Sequence, residues 1–365
     1  MIETQQRTKQ LLGRLHTVIE PLLQQDIVSL EMVRNLEIDE AGRVRFTLLL
    51  ASPAHPYRAR LQQACEEALY QLPFVTDIET TLAADVLDDR RKGGLLPLTV
   101  RNTVAVASGK GGVGKSTVAA NLALALSRFG ASVGILDLDM YGPSMPIMLG
   151  TNEIPRANDG QLMPVRQYGL KVMSIGFLVE EEAPVIWRGP MMHQAIRQLL
   201  TDVAWGELDY LIVDLPPGTG DAQITLCQSQ PLSGSVMVTT PQDVALADVV
   251  KGIAMFRDLD VPILGVVENM SHYQCPQCGH VEHLFGHGGG ETISRRMGVD
   301  LLASIPLETP VREGGDSGRP AVMGQPSSAA STAFSELALQ VAARLVVLNH
   351  AKPEPFRINP DLRLM

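Results

Sequence analysis

Hydrophobic positions change period along the first eighty residues. Leu11, Leu12, Leu15, Val18 and Ile19 fall at helical spacing within residues 5–19, the stripe that buries one face of a helix. In RVRFTLLL, residues 43–50, Val44, Phe46, Leu48 and Leu50 alternate instead, as a half-buried strand requires. Leu61, Cys65, Ala68, Leu69 and Leu72 then share one face of a helix predicted over 56–72, and a short strand is expected near 75–81. These elements predict a compact α+β unit over residues 1–84. The stretch 84–98, ADVLDDRRKGGLLPL, mixes charges with a glycine pair and a proline, a composition that suits an exposed linker; the linker is placed at 85–101.

Beyond residue 102 the pattern is different. TVAVA, SVGILDLD, YLIVDLP, SVMVTT and PILGVVE are near-continuous apolar runs separated by longer segments, which is how strands read when helices cover both faces of a parallel sheet. Helices are expected after Lys115 and over about 191–203, 244–256 and 330–348. The fold class expected for 102–350 is therefore α/β, a mainly parallel sheet covered on both faces. The tail 351–365 contains three prolines and no amphipathic run and is left unassigned.

Length and composition narrow the picture. A chain of 365 residues is expected to form two domains, and 45% hydrophobic with 19% charged residues is ordinary globular composition. The net charge of −10, from 30 Lys and Arg against 40 Asp and Glu, disfavours nucleic acid and anionic membrane as partners. No secretory signal is read at MIETQQRTKQ and no uninterrupted apolar run reaches the length of a bilayer span, so a cytoplasmic location is expected. Four cysteines, Cys65, Cys227, Cys275 and Cys278, are too few for a disulfide scaffold.

The segment TVAVASGKGGVGKST sets a strand before Gly109-x-x-x-x-Gly114-Lys115-Ser116 and a helix-compatible run after it. This is the context a phosphate-binding loop needs: glycines turn backbone amides inward at a helix N-terminus, Lys115 neutralises phosphate charge and Ser116 can ligate Mg²⁺. Gly109, Lys110, Gly111, Gly112, Val113, Gly114, Lys115, Ser116 and Thr117 are the expected ATP-binding loop. Asp137-Leu138-Asp139 and Asp214 close predicted strands, where nucleotide chemistry occurs in open α/β sheets. Asp214 is placed like an acid that holds the Mg²⁺ shell, with PPGTGD after it as a turn able to sense a γ-phosphate. The magnesium set is Ser116, Asp137 and Asp214.

The second lysine of SGKGGVGKST, Lys110, makes the loop resemble the deviant Walker A of the SIMIBI ATPases, which include the MinD, ParA and nitrogenase iron-protein families. The resemblance implies that Lys110 reaches the nucleotide of a homodimer partner and that Asp139 orients the attacking water, giving Lys110, Lys115 and Asp139 as the catalytic set.

SHYQCPQCGHVEHLFGHGGG places Cys275 and Cys278 in C-x-x-C spacing among polar neighbours, a pair able to clamp a soft metal or irons of a cluster. Two cysteines make half of a four-thiolate site, so a symmetric homodimer would complete it. The alternative is zinc held by the pair with His280, His283 or His287, and spacing alone does not separate zinc from iron.

Together, GKGGVGKST, Asp137 to Ser144, WRGP at Trp187 to Pro190, DLPPGTGD, TTPQDVALAD, VVENMS and CPQCG resemble, across residues 102–348, the Mrp (ApbC) family of iron–sulfur cluster carrier ATPases. That resemblance implies a 4Fe-4S cluster bridging two subunits through the C-x-x-C cysteines, delivery to apo iron–sulfur proteins with ATP coupled to loading or release, Asn269 as an adenine contact and Pro306 near the base. Residues 10–82 are similar to the small iron–sulfur assembly domain fused ahead of that family, through DIVSLEMVRNLEI and LASPAHP. There, His55 stands where the domain usually carries cysteine, and it is read as an exposed loop histidine. Cys65 and Cys227 are read as small core residues. The competing function is an ATP-switched positioning protein like MinD or ParA, with a zinc-bridged dimer.

Overall fold

The computed structural model describes residues 2–89, 99–140, 142–178 and 189–351. The first unit follows its periodicity. Helices Ile2–Leu15 and Arg58–Tyr70 accompany a three-stranded sheet in the order Val33–Ile38, Arg43–Leu50, Asp77–Ala84, whose first pair is antiparallel and second parallel. Val44, Phe46, Leu48 and Leu50 of the middle strand are buried with Leu11, Leu15, Leu61, Cys65 and Leu69 in one core. The strand Val33–Ile38 is nowhere fully buried, so VRNLEI carries too little apolar alternation to be read in advance.

Two expectations about this unit are corrected. His55 is not an exposed loop residue: it is 1% exposed, and its Nε2 lies 3.1 Å from the carboxylate of the equally buried Glu20. Burial pushes the Glu20 carboxyl up, but the hydrogen bond from His55 and the amides of Leu22 and Leu23 outweigh it and leave the group below its ordinary value. The stretch predicted as an exposed linker also begins packed. Val86 joins a core of the second unit, Asp89 is buried, and the amides of Asp85 and Leu87 donate to the carbonyls of Leu50 and Ala51. Its charges mislead because Asp85 pairs with Arg101 rather than facing water alone. Residues 90–98 of that stretch, and 352–365 of the tail, lie outside the described residues. The two units share a buried polar contact, Ser52 Oγ with Tyr210 Oη at 2.9 Å, and Asn349 Nδ2 of the second unit donates to Leu87 O of the connecting stretch at 3.0 Å.

The second unit is a nine-stranded sheet. Its strands run Val165–Gln167, Leu170–Ser174, Val133–Asp137, Leu208–Asp214, Val100–Ser108, Gly234–Thr239 and Ile263–Gln274, with Leu301–Leu307 and Val281–Glu282 both pairing to the last. All pairings are parallel except those of the hairpins 165–174 and 263–282. Both faces are covered, as the unbroken apolar runs require. Val104 and Val106 pack with helices Lys115–Arg128 and Ala329–His350, while Ala105 and Ala107 face Ile196, Leu199, Ile253 and Phe256 of helices Gly189–Thr201 and Asp243–Asp258. Helix Ala329–His350 is long and apolar enough to cross a membrane by composition, but Phe334, Leu337, Val341 and Leu345 are buried in this core. Strand Ile263–Gln274 runs six residues beyond the apolar segment PILGVVE, because NMSHYQ pairs by backbone rather than by apolar burial.

Candidate functional site

Strand Val100–Ser108 occupies the middle of the sheet and delivers residues 109–114 to the N-terminus of helix Lys115–Arg128. The loop's glycines serve distinct needs. Gly112 and Gly114 both have φ of +79°, a region L side chains avoid, and a β-carbon on Gly114 would run into the amide of Asn269. One on Gly109 would run into the backbone of Asp248. Ser108 Oγ donates to Lys110 O at 2.9 Å, the Gly218 amide to Ser108 O at 2.8 Å, and Asn269 Nδ2 to Val113 O at 2.9 Å. The loop is thus tied to the turn after Asp214 and to strand Ile263–Gln274.

Parallel register sets Asp137 beside Asp214 at the carboxyl ends of adjacent strands. Lys115 Nζ sits 2.6 Å from Asp214 Oδ1, 3.5 Å from Asp139 Oδ2 and 3.2 Å from Ser116 Oγ. Asp137 accepts from the amides of Asp139, Ser144 and Met145 and from Ser174 Oγ, at 3.0 to 3.2 Å. Burial, and then the neighbouring Asp214, raise Asp137 to about 7 despite those bonds. Burial likewise raises Asp214, against the opposing pull of Lys115. A pair of carboxylates held this far from water favours either protons or a cation. Asp214 Oδ2 is buried without a hydrogen-bond partner, and with Ser116 Oγ and Asp137 it offers the hard oxygens that Mg²⁺ prefers. The residues present fit that ion.

Above these acids lies a cavity of about 500 Å³. Lys110, Gly111, Gly112, Gly114, Lys115, Ser116, Thr117, Asp139, Asn269 and Pro306 line it, so most of the expected ATP and catalytic residues converge on one space. Val113 is turned into the core and Gly109 against helix Asp243–Asp258, so they shape the loop without lining the cavity. Lys110 Nζ donates to Gln242 Oε1 at 3.2 Å. Met270, Glu308 and Arg312 also line the space; the first falls within the motif VVENMS, and charge near a nucleotide is the only advance signal for the other two.

Strand Ile263–Gln274 ends in a hairpin with Val281–Glu282, and the turn between them carries the cysteines. The Cys275 amide donates to His280 O and the Gly279 amide to Cys275 O, both at 2.9 Å. Cys278 is exposed and Cys275 half-buried. The amides of Cys278 and Gln277, and the Cys278 side chain, lower the Cys275 thiol. Among the described residues no group of three His, Cys, Asp or Glu is gathered that could hold a metal; His283 instead stacks edge-on with His287 and bonds Ser271 O at 3.2 Å. Cys65 and Cys227 are the packed cysteines expected, and burial pushes each thiol up to about 12.

Over residues 99–342 the chain matches the family described as ParA, NUBPL iron-transfer P-loop NTPase. The chain belongs to that family. Residues 8–80 match the family described as FeS_assembly_P, iron-sulfur cluster assembly protein. An iron-sulfur cluster carrier protein of Synechocystis is 47% identical over 349 residues, 93% of this chain and 98% of that one. One of Escherichia coli K12 is 42% identical over 337 residues, 91% of each chain. Among solved structures, a nucleotide-binding protein of Archaeoglobus fulgidus in complex with ADP, in which Co was found, is 42% identical with TM-score 0.55, covering 60% of this chain and 88% of that one. The cell division ATPase MinD of Pyrococcus furiosus is 25% identical with TM-score 0.50, covering 66% and 98%.

The loop, Asp139, Asn269 and Pro306 come together around one cavity with Asp137 and Asp214 beneath it, and the cysteine pair stands apart on the hairpin. Trp187 and Arg188 of the WRGP motif, and Tyr141, lie outside the described residues.

Proposed function

We propose that this chain is an ATP-dependent iron–sulfur cluster carrier: Cys275 and Cys278, with the same pair from a second copy, hold one 4Fe-4S cluster that is passed to apo iron–sulfur proteins. The observation that carries this reading is the hairpin, which presents two thiols in one turn, one of them lowered toward thiolate; among the described residues no third side-chain ligand is gathered around them. Two thiolates are half of what a cubane takes, and an isologous homodimer supplies the other half. Cluster scaffold proteins are the class of donor this requires.

Nucleotide chemistry falls to the cavity. Ser116, Asp137 and Asp214 hold Mg²⁺, which when bound offsets phosphate charge. Lys115, now held by Asp214 and Asp139, exchanges those carboxylates for the β- and γ-phosphates, and Asp139, released from it, positions the attacking water. Lys110 adds charge at the transferring group from the partner's loop. Water adds to the γ-phosphorus as its bond to the β–γ bridging oxygen breaks, leaving ADP and phosphate.

Anaerobic reconstitution with ferrous iron and sulfide tests the cargo. About four irons and four sulfides per dimer are expected, and Cys275→Ala should lose them while still binding ATP. Iron retained by Cys275→Ala, or zinc without sulfide under every anaerobic condition, overturns the carrier reading; the zinc outcome leaves a nucleotide switch of the MinD kind.

A further inference from the structure

The strand Ile263–Gln274 belongs to both sites at once. Its residues Asn269 and Met270 line the nucleotide cavity, and its last residue precedes Cys275. Between those ends the pairing with Leu301–Leu307 slips: Asn269 stands opposite Ile305, but Tyr273 stands opposite Leu307. Four residues on one strand therefore span two on the other, so the backbone bulges at Met270–His272. Within the bulge Met270 has φ of +55°. Glycine and asparagine visit that region readily; a long side chain such as methionine does so against its preference.

Three contacts hold the bulge in this form. On the nucleotide side, Asn269 Nδ2 donates to Val113 O of the phosphate loop, and a β-carbon on Gly114 would touch both Asn269 and Met270. On the strand side, Ser271 Oγ donates to Ile305 O at 3.1 Å. On the hairpin side, His283 Nδ1 bonds Ser271 O at 3.2 Å, directly beside the Val281–Glu282 strand that closes the cysteine turn. The loop, the bulge and the hairpin are consecutive links of one chain of contacts, and the central link is a residue whose backbone state is costly unless its neighbours enforce it.

We infer that the Met270 bulge is the joint through which the phosphate loop positions the Cys275–Cys278 hairpin. The inference rests on the carrier reading only for its biological use. Phosphates gripped by residues 109–117 act on the Val113 carbonyl, and through it on Asn269. When that hold changes, Met270 returns toward extended backbone, the register of the bulge resets, and the hairpin moves relative to the sheet. Met270 is thus a positioning residue, and the penalty of its left-handed state is what makes the joint two-state. Glycine at this position has no such preference and should uncouple the two ends.

The test uses the full-length chain without cluster, so it does not depend on iron being the cargo. Cys275 and Cys278 are alkylated with a maleimide and followed by mass spectrometry, with and without Mg²⁺ and a non-hydrolysable ATP analogue. For wild type the analogue should change the alkylation rate by about five- to thirtyfold, the population shift that one left-handed residue commands. Met270→Leu, which keeps both bulk and backbone preference, should retain that response. Because Met270 lines the cavity, each variant is compared at an analogue concentration that its own titration shows to be saturating; there Met270→Gly should show the same alkylation rate with and without the analogue. A full nucleotide response in Met270→Gly, or none in wild type, overturns the joint. Failure of the carrier reading would appear instead in the iron and sulfide analysis, with this response intact.

Discussion

Replacing Lys115 by Met should unfold the protein more readily, quite apart from abolishing nucleotide binding. The ammonium is 6% exposed, its partner Asp214 is 0% exposed, and they lie 2.6 Å apart. Removing one member of such a pair leaves a charge in the interior, a loss of about 3–5 kcal/mol. For a unit of this size that lowers the midpoint by about 10 °C. Urea unfolding in EDTA without nucleotide, followed by the fluorescence of the buried Trp205, reads the effect. The sign of its pH dependence is also set. Lys115 opposes the upward shift that burial gives Asp214, so in the variant the folded carboxyl keeps its proton to higher pH than in wild type. The unfolded chain releases that proton near the ordinary value of 3.8. Stability of the variant therefore falls relative to wild type as pH rises, and the gap should be wider at pH 8 than at pH 5. Adding Asp214→Asn should recover most of the loss without restoring ATP binding. A gap under about 1 kcal/mol, the value of an exposed pair, a gap that narrows with pH, or a double variant no better than the single one would refute the argument.

Two further outcomes follow from local geometry. Gly114→Ala must hold φ at +79° and displace Asn269 from Val113, so affinity for a fluorescent ATP analogue should drop more than about tenfold, and an unchanged dissociation constant would contradict the role given to Asn269. His55→Leu strands the buried Glu20 and should destabilise the first unit by about 3 kcal/mol, with Glu20→Leu in the same chain restoring most of it. In wild type that carboxylate is held below its ordinary value, so its contribution is present at neutral pH and lost on acidification through the folded value; calorimetry at pH 7 and pH 3 should show a smaller His55→Leu effect at the lower pH.

Legibility in the sequence tracked burial. Strands covered on both faces, such as Val100–Ser108 and Leu208–Asp214, announce themselves as unbroken apolar runs, and the phosphate loop follows from its flanking elements. Edge pieces such as Val165–Gln167 and Val33–Ile38 are half-solvated and carry no such run. Backbone pairing also continues where apolar residues stop, which is why the strand reaches Gln274, six residues past the apolar run PILGVVE. His55 shows a different limit. Its loop sequence, SPAHP, looks exposed, and the partner that buries it, Glu20, is 35 positions away in sequence. Only tertiary contact reveals such a pair, and the same is true of Met270, whose backbone state no composition rule signals.

The four cysteines sort by the dielectric around them rather than by spacing alone. Burial, only partly offset by a backbone hydrogen bond at each thiol, pushes Cys65 and Cys227 up to about 12, so at neutral pH both remain protonated and poor ligands. Cys275 is moved the other way by the amides of Cys278 and Gln277, which favour thiolate before any metal arrives. Those amides also draw electron density from sulfur, and hydrogen bonds to cysteinyl sulfur tune a cluster's potential along with its exposure. On the carrier reading, a hairpin that readies its thiolate by amide donation, on the protein surface and with two ligands per chain, binds readily and lets go readily. A closed four-cysteine site buried in one chain would bind more firmly and transfer poorly. The placement of the pair on an exposed turn, at the far end of the strand that lines the nucleotide cavity, is therefore what a transferable cargo demands.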